Sequence, residues 1–289
     1  DINAQDGWDL WYKLINRTGV SNIQTPIFYY RQHSSSLSKD NQRLLNARSK
    51  IFEKITLNNT NDYKPKVLAV IPVKESYPNF EGVPYFKINK KSLLEIAINN
   101  ALESEKVDTV IISSESQQVL DFSLMLEENG KTPKHFRYLR KGSSEEIKVP
   151  VFDFMKSAGL HYDTIFNKSP DIIIYLSLHA INRRSKHISE AINVLLSTQS
   201  ASVVSVEEER EPIFKYNKVG LQILNPGRFK GLSFDEERFY KFNGCLIATW
   251  WDEINDNNIL GNKTSFIEMT RKDSYQLKDL DVFKKKGDE

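Results

Sequence analysis

Val67-Leu68-Ala69-Val70-Ile71-Pro72-Val73-Lys74 is the stretch that decides how this chain is read. A continuous apolar run ended by a proline has the look of a strand buried on both faces, as in a parallel sheet covered by helices on each side. Downstream the alternation repeats. Ser92 is placed to cap a helix whose apolar positions Leu93, Leu94, Ile96, Ala97, Ala101 and Leu102 share one side. Val110-Ile111-Ile112 reads as a second strand, followed by a helix from Gln117 to Glu128 that Gly130 ends. Ile172-Ile173-Ile174-Tyr175-Leu176 is another buried strand, Ile188 to Leu196 another helix, and Val203-Val204-Ser205-Val206 a further strand. This order predicts an α/β, Rossmann-like fold with a mostly parallel sheet and helices on both faces. Ligands of such sheets sit at the carboxyl ends of the strands, which singles out residues 72–74, 113–116 and 177–183.

Upstream lies a polar boundary. Residues 57–65, Leu57-Asn58-Asn59-Thr60-Asn61-Asp62-Tyr63-Lys64-Pro65, are rich in side chains that bond their own backbone and end in a proline, so they read as a linker. They divide the chain into a short piece, 1–56, and a long one, 66–289. The start, Asp1-Ile2-Asn3-Ala4, carries neither an initiator Met nor a signal-peptide pattern and reads as the cut edge of a longer protein.

Composition narrows the classes. The 289 residues hold 39% apolar and 27% charged side chains, enough to bury a core. Lys+Arg 40 against Asp+Glu 38 gives a net charge of +2, so nothing points to nucleic acid as a partner. No apolar run reaches the ~18–20 residues of a membrane span. Cys245 is the only cysteine, which rules out an intrachain disulfide and fits a reducing, cytoplasmic setting. GxGxxG is missing after the first strand and GxxxxGK[ST] is missing throughout, so neither the dinucleotide nor the P-loop reading applies.

The long piece resembles the acylneuraminate cytidylyltransferases, which activate sialic-acid-type sugars as CMP-sugars. Ala69-Val70-Ile71-Pro72-Val73-Lys74 stands where that family has an Ile-Pro-Ala-Arg loop, and Ser92-Leu93-Leu94 where it has a Pro/Ser-Leu-Leu helix start. Val110-Ile111-Ile112-Ser113-Ser114-Glu115 resembles its Val-Val-Ser-Thr-Asp, Leu139-Arg140 its Leu-Arg-Pro, and Phe242-Asn243-Gly244-Cys245 its Arg-x-Asn-Gly-Ala-Ile-Tyr. Ser177 to Arg183 falls on Gln-Pro-Thr-Ser-Pro-Leu-Arg and keeps the arginine.

That resemblance implies a nucleotidyltransferase fold, CTP or another nucleotide and a sugar acid as partners, Mg²⁺ as cofactor, and a homodimer. A sugar-acid hydroxyl attacks the α-phosphorus of CTP and expels pyrophosphate, a step that needs cations and N–H donors around the triphosphate. Lys74, Ser113, Arg140, Arg183, Asn243 and Gly244 are the nucleotide-binding candidates it implies. Its metal-holding Asp-Ile-Asp falls, without a gap, on Gln276-Leu277-Lys278, and a three-residue shift recovers Asp279-Leu280-Asp281, making Asp279 and Asp281 the metal candidates.

Other positions depart from the family. Tyr77-Pro78-Asn79 replaces a Ser-Lys-Gly, and Val83-Pro84 replaces a phosphate-binding Lys-Asn. An apolar side chain cannot balance the leaving pyrophosphate, and Pro84 has no N–H to donate. Two readings therefore stand side by side: an active CMP-sugar synthetase whose pocket is rebuilt with Lys87, Lys90 or Lys91, or a catalytically degenerate nucleotide-binding or scaffold domain.

The short piece, with Asp6-Gly7-Trp8-Asp9-Leu10-Trp11 and Thr25-Pro26-Ile27-Phe28-Tyr29-Tyr30-Arg31-Gln32-His33, resembles the end of a family-two, GT-A-type inverting glycosyltransferase. By that match Asp6 is the general base for an acceptor hydroxyl, with Arg31 and His33 near the donor diphosphate. Both pieces then share a theme of surface-glycan assembly.

Several of these residues also have a plain structural reading. His33 reads as a solvated loop residue. Lys87, Lys90 and Lys91 form a charge cluster, and Asn243-Gly244 reads as a turn between strands. Trp250-Trp251 reads as core packing. Arg183-Arg184 opens the following helix, although arginine there opposes the helix dipole, which favours a ligand role.

Overall fold

The computed structural model describes residues 6–15, 17–19, 21, 40–59, 64–77, 80–140, 150–225, 238–254 and 258–280. Two helices come first, α1 (Asp6–Ile15) and α2 (Asn41–Asn59). Then β1 (Val67–Val73), the short pairs β2 (Ser76–Tyr77) with β3 (Phe80–Glu81) and β4 (Lys87–Ile88) with β5 (Lys91–Ser92), α3 (Leu93–Leu102), β6 (Thr109–Ser114), α4 (Gln117–Glu128), β7 (Phe136–Leu139) and α5 (Val151–Phe166) follow. The chain continues through β8 (Ile172–Leu176), α6 (Ser185–Thr198), β9 (Ser202–Glu209), the hairpin β10 (Ile213–Tyr216) and β11 (Leu221–Asn225), β12 (Phe239–Trp250) and β13 (Thr264–Glu268).

Seven strands form one sheet in the order β13-β9-β12-β8-β1-β6-β7. Its pairs are parallel except where β12 lies antiparallel to both β8 and β9. The period of a strand sorts β1 cleanly. Val67, Ala69, Ile71 and Val73 enter a core shared with buried residues of α3, α4 and α6, while Leu68 and Val70 enter a second core with Met155, Ala158 and Tyr162 of α5. Pro72 does not end β1, which runs on to Val73. Pairing with β8 stops at Val70, leaving that flank of the strand open where a missing N–H costs no ladder bond.

Local chemistry sets the helix starts. The Ser92 hydroxyl accepts the Glu95 N–H at 3.1 Å to cap α3, and the Ser116 hydroxyl accepts the Val119 N–H at 3.4 Å to cap α4. α5 carries Gly159 mid-helix because a Cβ there would lie 2.1 Å from the Trp251 ring, which covers the second core. α2 packs on the outer face of α6: Phe52 joins the main core, the Thr56 hydroxyl donates to the Asn193 carbonyl at 3.2 Å, and Arg48 reaches Glu268 at 3.6 Å. Among the described residues no helix is long and apolar enough to cross a membrane.

Candidate functional site at the carboxyl edge of the sheet

Adjacent strand ends bring three of the candidate residues together. Lys74 follows β1, Ser113 lies opposite Pro72 in the β1–β6 register, and Arg140 follows β7, whose Leu139 pairs with Ser114. The Arg140 N–H donates to the Ser114 carbonyl at 2.8 Å. Its guanidinium is ion-paired with Glu115 and lies 4.5 Å over the Phe154 ring, and burial lowers its pKa. Glu75 closes the first loop by accepting the Ser116 hydroxyl at 2.7 Å.

This edge contains buried polar atoms with no protein partner. Ser113 is fully buried and its Oγ is unbonded, as are Oε1 of Glu115 and Nε of Arg140. Such atoms cost about 1–3 kcal/mol each when left unsatisfied, so in a native fold they are met by ordered water or by a bound group.

Two aromatic side chains close the same edge. Tyr77, whose hydroxyl oxygen lies 3.4 Å from the Lys74 N–H that donates to it, stands edge-on to His179 with ring centroids 4.5 Å apart. Burial pushes the Tyr77 phenol up to about 12. Burial, with the Lys278 charge behind it, pushes the His179 imidazole down to about 4, so it is neutral at physiological pH. Val83 and Pro84 lie buried in the short 3₁₀ turn Val83–Tyr85, with Val83 in the main core. Lys87, Lys90 and Lys91 are exposed on the β4–β5 hairpin, whose turn residues Asn89 and Lys90 have φ of 49° and 69°.

Arg183, Asn243 and Gly244 form a separate knot. The Arg183 side chain is 1% exposed and donates through Nη1 to the carbonyls of Ser177 at 2.7 Å and Cys245 at 2.9 Å. Burial lowers its pKa to about 10, leaving it charged at neutral pH. Its guanidinium thus ties the end of β8 to β12. Asn243 is buried: its Oδ1 accepts from the Ser205 hydroxyl at 2.6 Å and the Cys245 N–H at 3.1 Å, and its Nδ2 donates to the Ser274 hydroxyl at 2.9 Å. Asn243-Gly244 is not a turn between strands but an irregularity within β12, where the register to β9 shifts between Phe242 and Ile247. Gly244 has φ +73°, and a Cβ there would meet Gln276 at 3.0 Å.

Asp279 ends the short turn Leu277–Asp279, where its carboxylate accepts the Gln276 N–H at 2.9 Å. Asp281 lies outside the described residues, as do Arg31 and His33, and the Asp6 side chain is likewise not described. Among the described residues no three His, Cys, Asp or Glu side chains converge as metal ligands. Asp279 caps the Gln276 N–H and Glu115 pairs with Arg140, so the described residues present no ready ligand set for a resident metal.

The segments 113–116 and 177–183 take in Glu115 and His179 without giving them a role, while Glu75 and Tyr77 have no signal but their position just after β1.

No family model matches the sequence, and no curated protein matches it either. Solved structures do match. The fold is similar to that of 4-diphosphocytidyl-2C-methyl-D-erythritol synthase from Anaerococcus prevotii, at 11% identity and TM-score 0.53, over 76% of this chain and 93% of that one. A CMP:2-keto-3-deoxy-manno-octonic acid synthetase complexed with CTP aligns at 13% identity and TM-score 0.48, over 71% of this chain and 90% of that one. The chain therefore has an α/β nucleotidyltransferase fold of the kind seen in cytidylyltransferases.

Proposed function

We propose that the chain binds CTP or a related nucleoside triphosphate at the carboxyl edge of β1, β6 and β7 and transfers a cytidylyl group to a sugar acid. A hydroxyl of the sugar acid attacks the α-phosphorus, the bond to the β-phosphate oxygen breaks, and CMP-sugar and pyrophosphate leave. The observation that carries this reading is the set of buried, unpartnered polar atoms on Ser113, Glu115 and Arg140, at the edge where sheets of this kind take ligands. Lys74, Ser113 and Arg140 contact the nucleotide, with Lys74 nearest the phosphates. Arg183, Asn243 and Gly244 act on it through the loop they hold. Mg²⁺ enters as the companion of the triphosphate.

A second reading, nucleotide binding without turnover, is favoured by the Tyr77–His179 pair that fills this edge and by the core position of Val83. Incubating the protein with CTP, Mg²⁺ and a nonulosonic acid separates the two. Released pyrophosphate supports the enzyme, and a CTP-dependent rise in Tm without pyrophosphate supports the binding domain. Neither signal sinks both.

The wider setting belongs to the same proposal. Residues 1–56 are read as the end of a glycosyltransferase domain and 66–289 as the nucleotidyltransferase domain, acting together in surface-glycan synthesis in the cytoplasm. The β10–β11 hairpin exposes Phe214, Tyr216, Leu221 and Ile223, cross-strand neighbours on one face. A two-stranded hairpin is marginal alone, and a second copy of the chain covering it would give the homodimer.

A further inference from the structure

A second cleft, of about 550 Å³, opens where α2, the end of α3, the start of α6 and the loop after β13 meet. It shares no lining residue with Lys74, Ser113, Glu115, Arg140, Tyr77 or His179.

Its charge is unbalanced. Arg184 is bonded to Asp273 at 2.6 Å, which uses the one carboxylate in the lining. Lys186 donates to the Asn46 amide oxygen at 3.4 Å and is attracted by the Asp273 and Glu190 carboxylates, but neither Lys186 nor Lys272 forms an ion pair within 4 Å among the described residues. Burial and the neighbouring Arg184 both push the Lys186 ammonium below its ordinary value. Arg184 and Lys186 also sit at the first positions of a 14-residue helix. Cations there oppose the dipole by about 0.3–1 kcal/mol each.

Adjoining the cleft is a pit of about 20 Å³ that shares Gln42, Asn46, Lys186, Thr270 and Asp273 with it. Glu190, one helical turn beyond Lys186, lines this pit. It is 7% exposed and accepts no hydrogen bond from a described residue, with the Lys186 and Arg48 charges nearby. A space that small holds one hydroxyl- or water-sized group.

We infer that this cleft binds a small phosphorylated polyol, with its phosphate on Lys186, Lys272 and the first turn of α6 and a hydroxyl seated over Glu190. Lysines act as point charges suited to phosphate. The unpartnered Glu190 carboxyl gives a hydroxyl its hydrogen-bonding partner. Asn100 and Asn182 also line the cleft, and their side-chain amides donate to the carbonyls of Arg183 and Lys272. This site stands whether or not CTP binds the sheet edge.

The test titrates the whole chain with inorganic phosphate, glucose 1-phosphate and glucose at low salt, by calorimetry and by Tm. The ester binds more tightly than phosphate, glucose alone does not bind, and all binding persists in Lys74→Ala. Lys272→Glu, an exposed change that leaves the unliganded Tm unaltered, weakens both anions at least about tenfold. Lys186→Ala acts likewise. Glu190→Gln keeps phosphate affinity but narrows the preference for the ester. Absence of anion binding at millimolar concentration, or binding unchanged in both lysine variants, overturns the site. An ester no tighter than phosphate overturns the seat at Glu190.

Discussion

The ring of Tyr77 stands at 83° to that of His179, 4.5 Å between centroids, and the two seal the carboxyl edge beside Lys74. An edge-to-face pair is worth about 0.5–1.5 kcal/mol beyond its buried area. It also keeps the imidazole dry, and the consequence can be measured. The folded His179 titrates near 4 against 6.5 for the unperturbed side chain. Between those values the unfolded chain binds the extra proton. The stability this neutral ring contributes is therefore full above about pH 6.5 and is lost as pH falls toward 4. His179→Gln is expected to flatten the decline in urea stability across that window, by up to about 3 kcal/mol. An unchanged slope assigns the acid sensitivity to other groups.

Ser113 gives a prediction with opposite signs for folding and binding. Its buried hydroxyl has no protein partner. Ser113→Ala should therefore leave the unliganded protein as stable or more stable, by about 0–1 kcal/mol in chemical denaturation. The same change should shrink the Tm rise produced by CTP. A loss of stability without ligand, or an undiminished CTP response, contradicts the place given to Ser113.

Gly159 sets helix propensity against packing. In an exposed helix, Gly→Ala gains about 1 kcal/mol. Here the new Cβ would lie 2.1 Å from Trp251 Cζ3 and 2.5 Å from Cη2, so the ring must move out of the second core. Gly159→Ala is expected to cost about 1–3 kcal/mol net. Adding Trp251→Leu should restore the helix-propensity gain of the alanine, measured relative to Trp251→Leu alone. An additive double variant would refute the contact.

Glu190 predicts an alkaline effect. Burial raises its carboxyl to about 7 from 4.5. The folded state therefore holds a proton that the unfolded state has released, and stability falls as pH rises from 4.5 to 7. Glu190→Gln should stabilise the protein at pH 8, by on the order of 2–3 kcal/mol, and change little below pH 4.5. Thermal melts at the two pH values check it.

Much of the sheet is legible in the sequence alone. Ile172–Leu176 and Gln117–Glu128 form with the expected bounds because apolar runs of the right length lie between strong caps and breakers. The candidate loops at 72–74 and 113–116 do meet at one edge, since a parallel βαβ order leaves few alternatives. α5, β7 and β12 carry no such pattern. β12 mixes exposed Lys241 and Phe242 with buried Cys245 and Leu246, and its bulge breaks the alternation by which strands are recognised.

The site divides along the same line. Local sequence determined that Lys74 and Ser113 lie at the ends of neighbouring strands, and only the pairing of β7 with β6 brought Arg140 to the same edge. Only tertiary structure decided what they and their neighbours face. Arg183, at the start of a helix, reads as a ligand-binding cation, yet its guanidinium turns inward to the Cys245 carbonyl, 62 residues away. Arg184 and Lys186 are left in the outer cleft instead. The physical reason is that a buried cation goes where carbonyls are offered. The Ser177 carbonyl is local, but that of Cys245 is offered only because β12 inserts antiparallel beside β8, a long-range pairing that no local pattern encodes.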